Sequence, residues 1–369
     1  MSSVAEKLAP EAIKKLIPYQ SARRIGGAGR IWLNANELEQ PIDYVAGQGQ
    51  YHRYPDFMPS EVAKAYQSYS EIKSPVLAVR GADEAIDLLI RTFCQPGKDN
   101  IVVCTPTYAM YEFCAEALSV ATLPVPLLGD EFELNVEGVI SAAKVANVVF
   151  LCSPNNPTGN VLARKDIERI LEATRDDTLV VVDEAYIEFD WQQSVADLVL
   201  DYPNLVVIRT LSKAFGLASV RCGFIIADDS VMNYVMKLIP PYPMPDSSSE
   251  IVLKALSEQG IAQMREATHQ LIARRDWFAE QVTGFAWIET VYASATNFVL
   301  LRTKPGIKLF DYLLSHGIVT RDQGHELALA NCVRITIGSQ ASMQDVLEAM
   351  NNYSVSNTNE HNESKGIVK

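Results

Sequence analysis

Positive charge is scarce in this sequence. Among 369 residues, 32 lysines and arginines stand against 45 aspartates and glutamates, a formal net charge of -13. Attraction to a nucleic-acid backbone or an anionic bilayer needs the opposite balance, so both classes of partner are excluded. An anionic ligand must instead be gathered by a few local arginines. No apolar run is long enough to span a bilayer, and the opening stretch MSSVAEKLAPEAIKK has no apolar core before a cleavage site, so a cytoplasmic protein is expected. Histidines number only five, and the single His-Glu pair, His325-Glu326, has no second histidine one helical turn on, so no metal site is expected. The cysteines (Cys94, Cys104, Cys114, Cys152, Cys222, Cys332) never form a Cys-x-x-Cys pair and read as buried, reduced thiols. There is no internal repeat.

Apolar residues are plentiful. At 48% hydrophobic and 21% charged, the chain exceeds what one core usually serves, and two domains are expected. Between about residues 75 and 228, short β-branched runs alternate with helix-period segments, the pattern of crossover units feeding a parallel sheet. The strands read as IVVC at 101–104, VVFLC at 148–152, LVVVD at 179–183, LVVIR at 205–209 and GFIIA at 223–227, separated by helical stretches such as DEAIDLLIRTF, MYEFCAEAL and RKDIERILEAT. Near-continuous apolar strands are buried on both faces, so the fold class is α/β, a mostly parallel central sheet with helices on each side. The proline-rich IPPYPMPDSSSE at 239–250 reads as a domain link. A long helical pattern over about 250–282 follows, then two strand-like runs, NFVLLR and VRITIG, which suggest a smaller α+β domain. The expected division is an N-terminal arm over 1–35, a large domain over 36–245, a small domain over 246–353 and a polar, disordered tail over 354–369.

Three loop motifs each follow a strand at its C-terminal end, where ligands sit in open α/β sheets. They are SPNNPTGN at 153–160, DEAYIEF from Asp183, and TLSKAFGLASVRCG over 210–223. Each alone has an ordinary reading: a turn, a helix cap, a solvated lysine. Their succession in this order makes a shared ordinary explanation improbable. Gly81 and Ala82 in RGADEAIDLL stand just ahead of a helix, where free backbone amides and the helix dipole favour an anion. Asp83 reads as that helix's N-cap or as part of the anion site.

These motifs resemble those of the fold-type I aminotransferases, and more closely the histidinol-phosphate aminotransferases. The resemblance runs from IPYQSARRIGG through WLNANE, HRYPD, RGADEAIDLLIRTFC, PTYAMY, CSPNNPTG, VVVDEAYIEF and RTLSKAFGLASVRCGF to RDQ and VRITIG. It implies a pyridoxal 5'-phosphate enzyme in which Lys213 carries the cofactor as a Schiff base and then serves as the proton-moving base. Asp183 would keep the pyridine nitrogen protonated. Tyr186 and Asn156 match the groups that hydrogen-bond the cofactor's phenolic oxygen, with Asn155 structural, and Tyr108 matches the ring that stacks on the pyridine. Gly81, Ala82, Asp83, Thr210, Ser212 and Arg221 would surround the phosphate, Arg221 offering a fork of donors. Arg334, Arg321 and Tyr19, with Asn156, would bind substrate. Tyr54 would reach the neighbouring active site of a homodimer.

The implied reaction exchanges an amino group between L-histidinol phosphate and 2-oxoglutarate, so the partners are a phosphorylated amine and a 2-oxo acid. Alternatives within the fold are a threonine-phosphate decarboxylase and a broader aromatic or aspartate-type aminotransferase. A non-catalytic cofactor-binding regulator belongs to another class; an inactive relative would be expected to lose Lys213 or Asp183, and both are present.

Overall fold

Runs of β-branched residues set the central sheet. In the computed structural model, which describes residues 29–34, 36–37, 39–40 and 54–365, seven strands lie in the order β2-β8-β7-β6-β5-β3-β4. A two-residue strand, β1 (Ile31–Trp32), comes first in the chain; the seven are β2 (Val76–Val79), β3 (Asn100–Thr105), β4 (Ala121–Pro126), β5 (Val148–Cys152), β6 (Leu179–Asp183), β7 (Leu205–Thr210) and β8 (Gly223–Ala227). Neighbours from β4 across to β7 pair in parallel, whereas β8 runs antiparallel to both β7 and β2. The reversal follows from the connection: residues 211–222 hold no helix beyond a three-residue 3-10 turn, and a parallel return needs a longer crossover.

Every residue of β5, β7 and β8 is buried. Side chains alternate between faces along a strand. Val103, Phe150, Val181 and Ile208 join one core with Ile86, Leu89 and Tyr111 from the helices Ala82–Phe93 and Met110–Ala117. The intervening Val102, Val149, Val182 and Val207 are fully buried on the opposite face. Helix Arg164–Ala173 is amphipathic and buries Ile167, Ile170 and Leu171 at helical spacing.

One charged pair lies inside this apolar interior. Arg209 of β7 and Glu184, just past β6, are each 1% exposed and meet at 2.8 Å between Nε and Oε2. The guanidinium also donates to Ser194 Oγ at 2.7 Å and lies over the Trp191 ring, 4.7 Å from its centroid. The second Glu184 oxygen accepts from the Val195 amide at 2.7 Å. Nearby, burial pushes the Glu188 carboxyl up to about 7, against the pull of Arg209. Removing one partner of such a pair strands the other without compensation. Glu184→Ala should therefore lower the free energy of unfolding by about 3 kcal/mol, with Glu184→Gln losing less because it keeps the hydrogen bonds. An unchanged denaturation midpoint for Glu184→Ala would contradict this account.

The chain divides into two compact units. Among the described residues, one unit holds 54–156 and 160–265; the other holds 29–40, Pro157–Gly159 and 266–365. The second unit contains a four-stranded antiparallel sheet in the order β12-β13-β10-β9, built from β9 (Ile288–Val291), β10 (Phe298–Thr303), β12 (Arg321–Asp322) and β13 (Cys332–Thr336). There β1 pairs in parallel with β11 (Ile318–Val319). The Asn-Ala-Asn-Glu segment docks on this unit. Asn36 accepts from Thr336 Oγ1 at 2.8 Å, and its backbone amide donates back to that oxygen at 2.9 Å; Glu39 accepts from the Ser339 amide and the Ser342 hydroxyl at the start of helix Gln340–Lys365.

Three boundaries differ from the sequence expectation. The proline-rich 239–250 does not separate the units, because helix Asp246–Ala255 packs on helix Ser60–Ser70 of the first unit. The helical pattern over 250–282 is two helices, Asp246–Ala255 and Glu258–Thr283. Ser257 caps the second by accepting from the Gly260 amide at 3.2 Å, and a Cβ at Gly260 would lie 2.3 Å from the Ala255 carbonyl oxygen. The final helix continues to Lys365 through most of the stretch whose polarity suggests disorder; no proline or glycine occurs in it before Gly366.

Candidate cofactor and active site

The loops after β5, β6 and β7 emerge side by side because those strands are neighbours in the sheet. Asp183 ends β6 and is 2% exposed. Its Oδ2 accepts from the Tyr111 hydroxyl at 2.7 Å and its Oδ1 from the Ala185 amide at 3.0 Å. Burial pushes this carboxyl up to about 6, opposed by those two hydrogen bonds and by the charge of Lys213 and reinforced by Asp83. Asn155 ties two loops together: its side-chain amide donates to the Pro106 carbonyl at 2.9 Å, and its oxygen accepts from Thr107 Oγ1 at 2.8 Å. Asn156 beside it is 9% exposed and Tyr186 is 3% exposed. Lys213 is half-buried, with Nζ 5.7 Å from the Tyr186 ring centroid.

A second group of the first unit forms an anion cradle. Gly81 takes φ 87° and stands as N-cap of helix Ala82–Phe93, so the first amides of that helix have no partner within it. A Cβ at Gly81 would lie 2.5 Å from the Arg221 guanidinium, so glycine is what lets arginine and helix end approach. Gly223 performs the same service from the other side, since a Cβ there would meet the Gly81 carbonyl carbon at 2.7 Å. Arg221 adopts φ 57°, and its guanidinium donates to the carbonyls of Ala218 and Arg80. Thr210 and Ser212 join hydroxyls at 2.8 Å, and Thr210 donates to the Cys222 carbonyl at 3.1 Å. Asp83 is not the helix cap: it is the second helical residue, and its carboxylate accepts from Tyr108 Oη at 2.9 Å while lying 3.5 Å from Arg221. Tyr108 is thereby fixed at its hydroxyl end, and its ring meets Tyr111 edge-on at 5.8 Å.

Arg321 and Arg334 belong to the second unit. They are direct cross-strand partners in the β12–β13 pair, so their side chains leave the same face. Arg334 is 6% exposed, donates to the Asn34 carbonyl at 2.9 Å and lies over the Phe298 ring at 5.3 Å. Tyr54, 81% exposed, stacks on Tyr242 at 4.7 Å on the surface of the first unit. Tyr19 falls outside the described residues.

Two features escape the sequence reading. Tyr111, the second tyrosine of PTYAMY, contacts Asp183, and the only signal for it is a tyrosine three positions after Tyr108 on a helix otherwise facing the core. The Glu184–Arg209 pair has a clearer signal, two opposite charges at the ends of otherwise apolar neighbouring strands.

Residues 30–350 match the family described as aminotransferase class I and II. The chain is 44% identical to the histidinol-phosphate aminotransferase of Escherichia coli (strain K12) over 344 residues, which is 93% of this chain and 96% of that protein, and equally so to that of Shigella boydii serotype 18. Among solved structures it is similar to the Sinorhizobium meliloti histidinol-phosphate aminotransferase in complex with pyridoxal-5'-phosphate, with TM-score 0.85, 23% identity and coverage of 96% of this chain and 100% of that one. The Clostridium acetobutylicum histidinol-phosphate aminotransferase gives TM-score 0.77 at 24% identity, covering 83% and 92%. The residues fit that cofactor on their own chemistry: a half-buried lysine amine, a buried carboxylate at a strand end, and a glycine-lined cradle holding a guanidinium, two hydroxyls and open helix amides. With those elements on one sheet and the family pattern spanning residues 30–350, the chain belongs to the class I and II aminotransferases, which depend on pyridoxal 5'-phosphate.

Proposed function

We propose that the protein is a cytoplasmic aminotransferase of L-histidine biosynthesis that interconverts L-histidinol phosphate and 2-oxoglutarate with imidazole-acetol phosphate and L-glutamate. The observation that carries the substrate reading is the Arg321–Arg334 cross-strand pair. Like charges directly opposite each other repel, and an anion between two guanidinium forks turns that repulsion into attraction. Histidinol phosphate offers a phosphate, and glutamate and 2-oxoglutarate offer a second carboxylate, so one pair of bidentate donors serves both substrates of the exchange.

Bound pyridoxal phosphate supplies the electron sink for the carbanion that forms at the substrate Cα. Lys213 would hold the cofactor through its amine, and the same amine would move the proton at the substrate Cα. Asp183 holds a proton at the pyridine nitrogen and so keeps the sink strong. Asn156 and Tyr186 would hydrogen-bond the phenolic oxygen, Tyr108 would stack on the ring, and Gly81, Ala82, Asp83, Thr210, Ser212 and Arg221 would hold the phosphate. Asn156 would also contact substrate. The exposed Tyr54 reaches the active site of a second copy, making the working form a homodimer.

The decisive experiment supplies each amine without a 2-oxo acid. L-histidinol phosphate should convert bound cofactor stoichiometrically to its amine form, and subsequent 2-oxoglutarate should release one equivalent of L-glutamate. Carbon dioxide evolved from threonine phosphate, with no amino transfer, would overturn the reading. Arg334→Ala should raise KM for L-histidinol phosphate by about 10- to 100-fold, the worth of charge-assisted hydrogen bonds, with a smaller change in kcat. Steady-state kinetics in both directions checks this; an unchanged KM would remove Arg334 from the substrate site.

A further inference from the structure

We propose that Tyr111 is a positioning residue that fixes and tunes Asp183. The inference rests on the reading of Asp183 given above and adds to it the group that makes its carboxylate usable.

The geometry is specific. Tyr111 is 0% exposed, stacks on Phe150 with centroids 4.8 Å apart and planes 14° from parallel, and meets Tyr108 edge-on. A ring held on two sides has little freedom, so its hydroxyl is delivered to one place, 2.7 Å from Asp183 Oδ2. The Ala185 amide takes the other oxygen. Each carboxylate oxygen thus has one fixed donor and keeps remaining lone pairs for a further partner. Rotation of Asp183 about its last bond would break both contacts.

Energetics gives the hydrogen bond a second consequence. Inside the core, desolvation favours the neutral acid, whereas holding a proton at a ring nitrogen requires the anion. Tyr111 donates to the anion and stabilises it. The charged and titratable groups that act on Asp183 besides Tyr111 are Lys213, which also favours the anion, and Asp83, which opposes it; the buried Cys152 thiol neighbours both the Tyr111 hydroxyl and Asp183. Burial pushes Cys152 up to about 12, so it stays neutral and adds no competing charge near pH 7. Tyr111 is also held protonated, its own ionisation pushed well up by burial and by Asp183, and it remains a donor throughout the working range.

Tyr111→Phe removes the donor and keeps the ring. The test is the Asp183 carboxyl titration in apoprotein, followed by difference infrared spectroscopy with Asp183→Asn identifying the band, together with cofactor affinity. In Tyr111→Phe the carboxyl midpoint should move up by about one to two pH units, the worth of a hydrogen bond to a charged group, and cofactor should bind about tenfold more weakly at pH 7. In an Asp183→Asn background the same substitution should leave cofactor affinity unchanged, because its effect runs through the carboxylate. An unmoved midpoint, or equal losses in both backgrounds, overturns the proposal while leaving the role of Asp183 intact. Normal turnover by Asp183→Asn alone would instead overturn the reading beneath it. Should Tyr111→Phe fail to fold, 3-fluorotyrosine at position 111 strengthens the donor without altering the shape; it should move the midpoint down, and no movement overturns the proposal.

Discussion

Lys213→Ala should bind no cofactor that survives gel filtration and should lose at least about 10⁴-fold in turnover, since the proposed function makes this lysine both the covalent anchor and the proton-moving base. The fold should survive. Lys213 is only half-buried, and the loop that carries it is closed by backbone contacts, Gly216 to Lys213 at 3.1 Å and Leu217 to Leu211 at 3.0 Å, that alanine retains. Unfolding free energy should therefore change by less than about 1 kcal/mol. The neighbours Leu211, Ser212, Ala214 and Phe215 are all buried, so the lysine is the one long flexible side chain this stretch offers. Borohydride reduction of the wild-type protein followed by peptide mass mapping should find cofactor on Lys213. Reductive labelling of a different lysine would falsify the assignment outright.

How far the sequence discloses the molecule depends on what each element needs from the rest of the chain. β5 to β8 are legible because each carries four or five consecutive apolar, mostly β-branched residues, the pattern of a strand buried on both faces, and the structure places them within a residue of the expected ends. β4, ATLPVP, was not legible: it carries two prolines and leaves most of its residues partly open, as an edge strand can. The proline-rich 239–250 lies inside the first unit: proline marks a break in hydrogen bonding, whereas the edge of a compact unit is a matter of which surfaces meet. Helix Asp246–Ala255 belongs with the first unit by packing, which no local pattern encodes. Within the candidate site, the loop motifs announce the residues that project from strand ends. Tyr111 has no such announcement, because a tyrosine on a core-facing helix is ordinary until the carboxylate opposite it is known. The antiparallel pairing that sets Arg321 against Arg334 is invisible for the same reason: the register of two residues thirteen positions apart is fixed by the whole sheet.

Asp183→Asn should separate function from stability in opposite directions. Turnover should fall by on the order of 10²- to 10³-fold, as expected when a preorganised charge is removed from the site of developing charge. The apoprotein, in contrast, should become more stable near neutral pH. Burial raises the Asp183 carboxyl from its ordinary 3.8 to about 6, so the folded state holds that proton more tightly than the unfolded chain does. The stabilising contribution is complete below the unfolded value and is lost as pH rises through the folded one. Above pH 6 the ionised carboxylate therefore costs the native apoprotein about 3 kcal/mol, two pH units at 1.4 kcal/mol each. Asparagine presents the same shape with no charge, and its oxygen can still accept from the Ala185 amide. Its advantage over the wild type should be largest above about pH 7, shrink as pH falls through 6 and vanish below about 4. Denaturation of both apoproteins across that range measures the difference directly. A wild type as stable as the variant at pH 8 would mean that Asp183 is not a strained carboxylate held for catalysis. A variant gaining stability while losing turnover would mark the carboxylate as one retained against the preference of the fold.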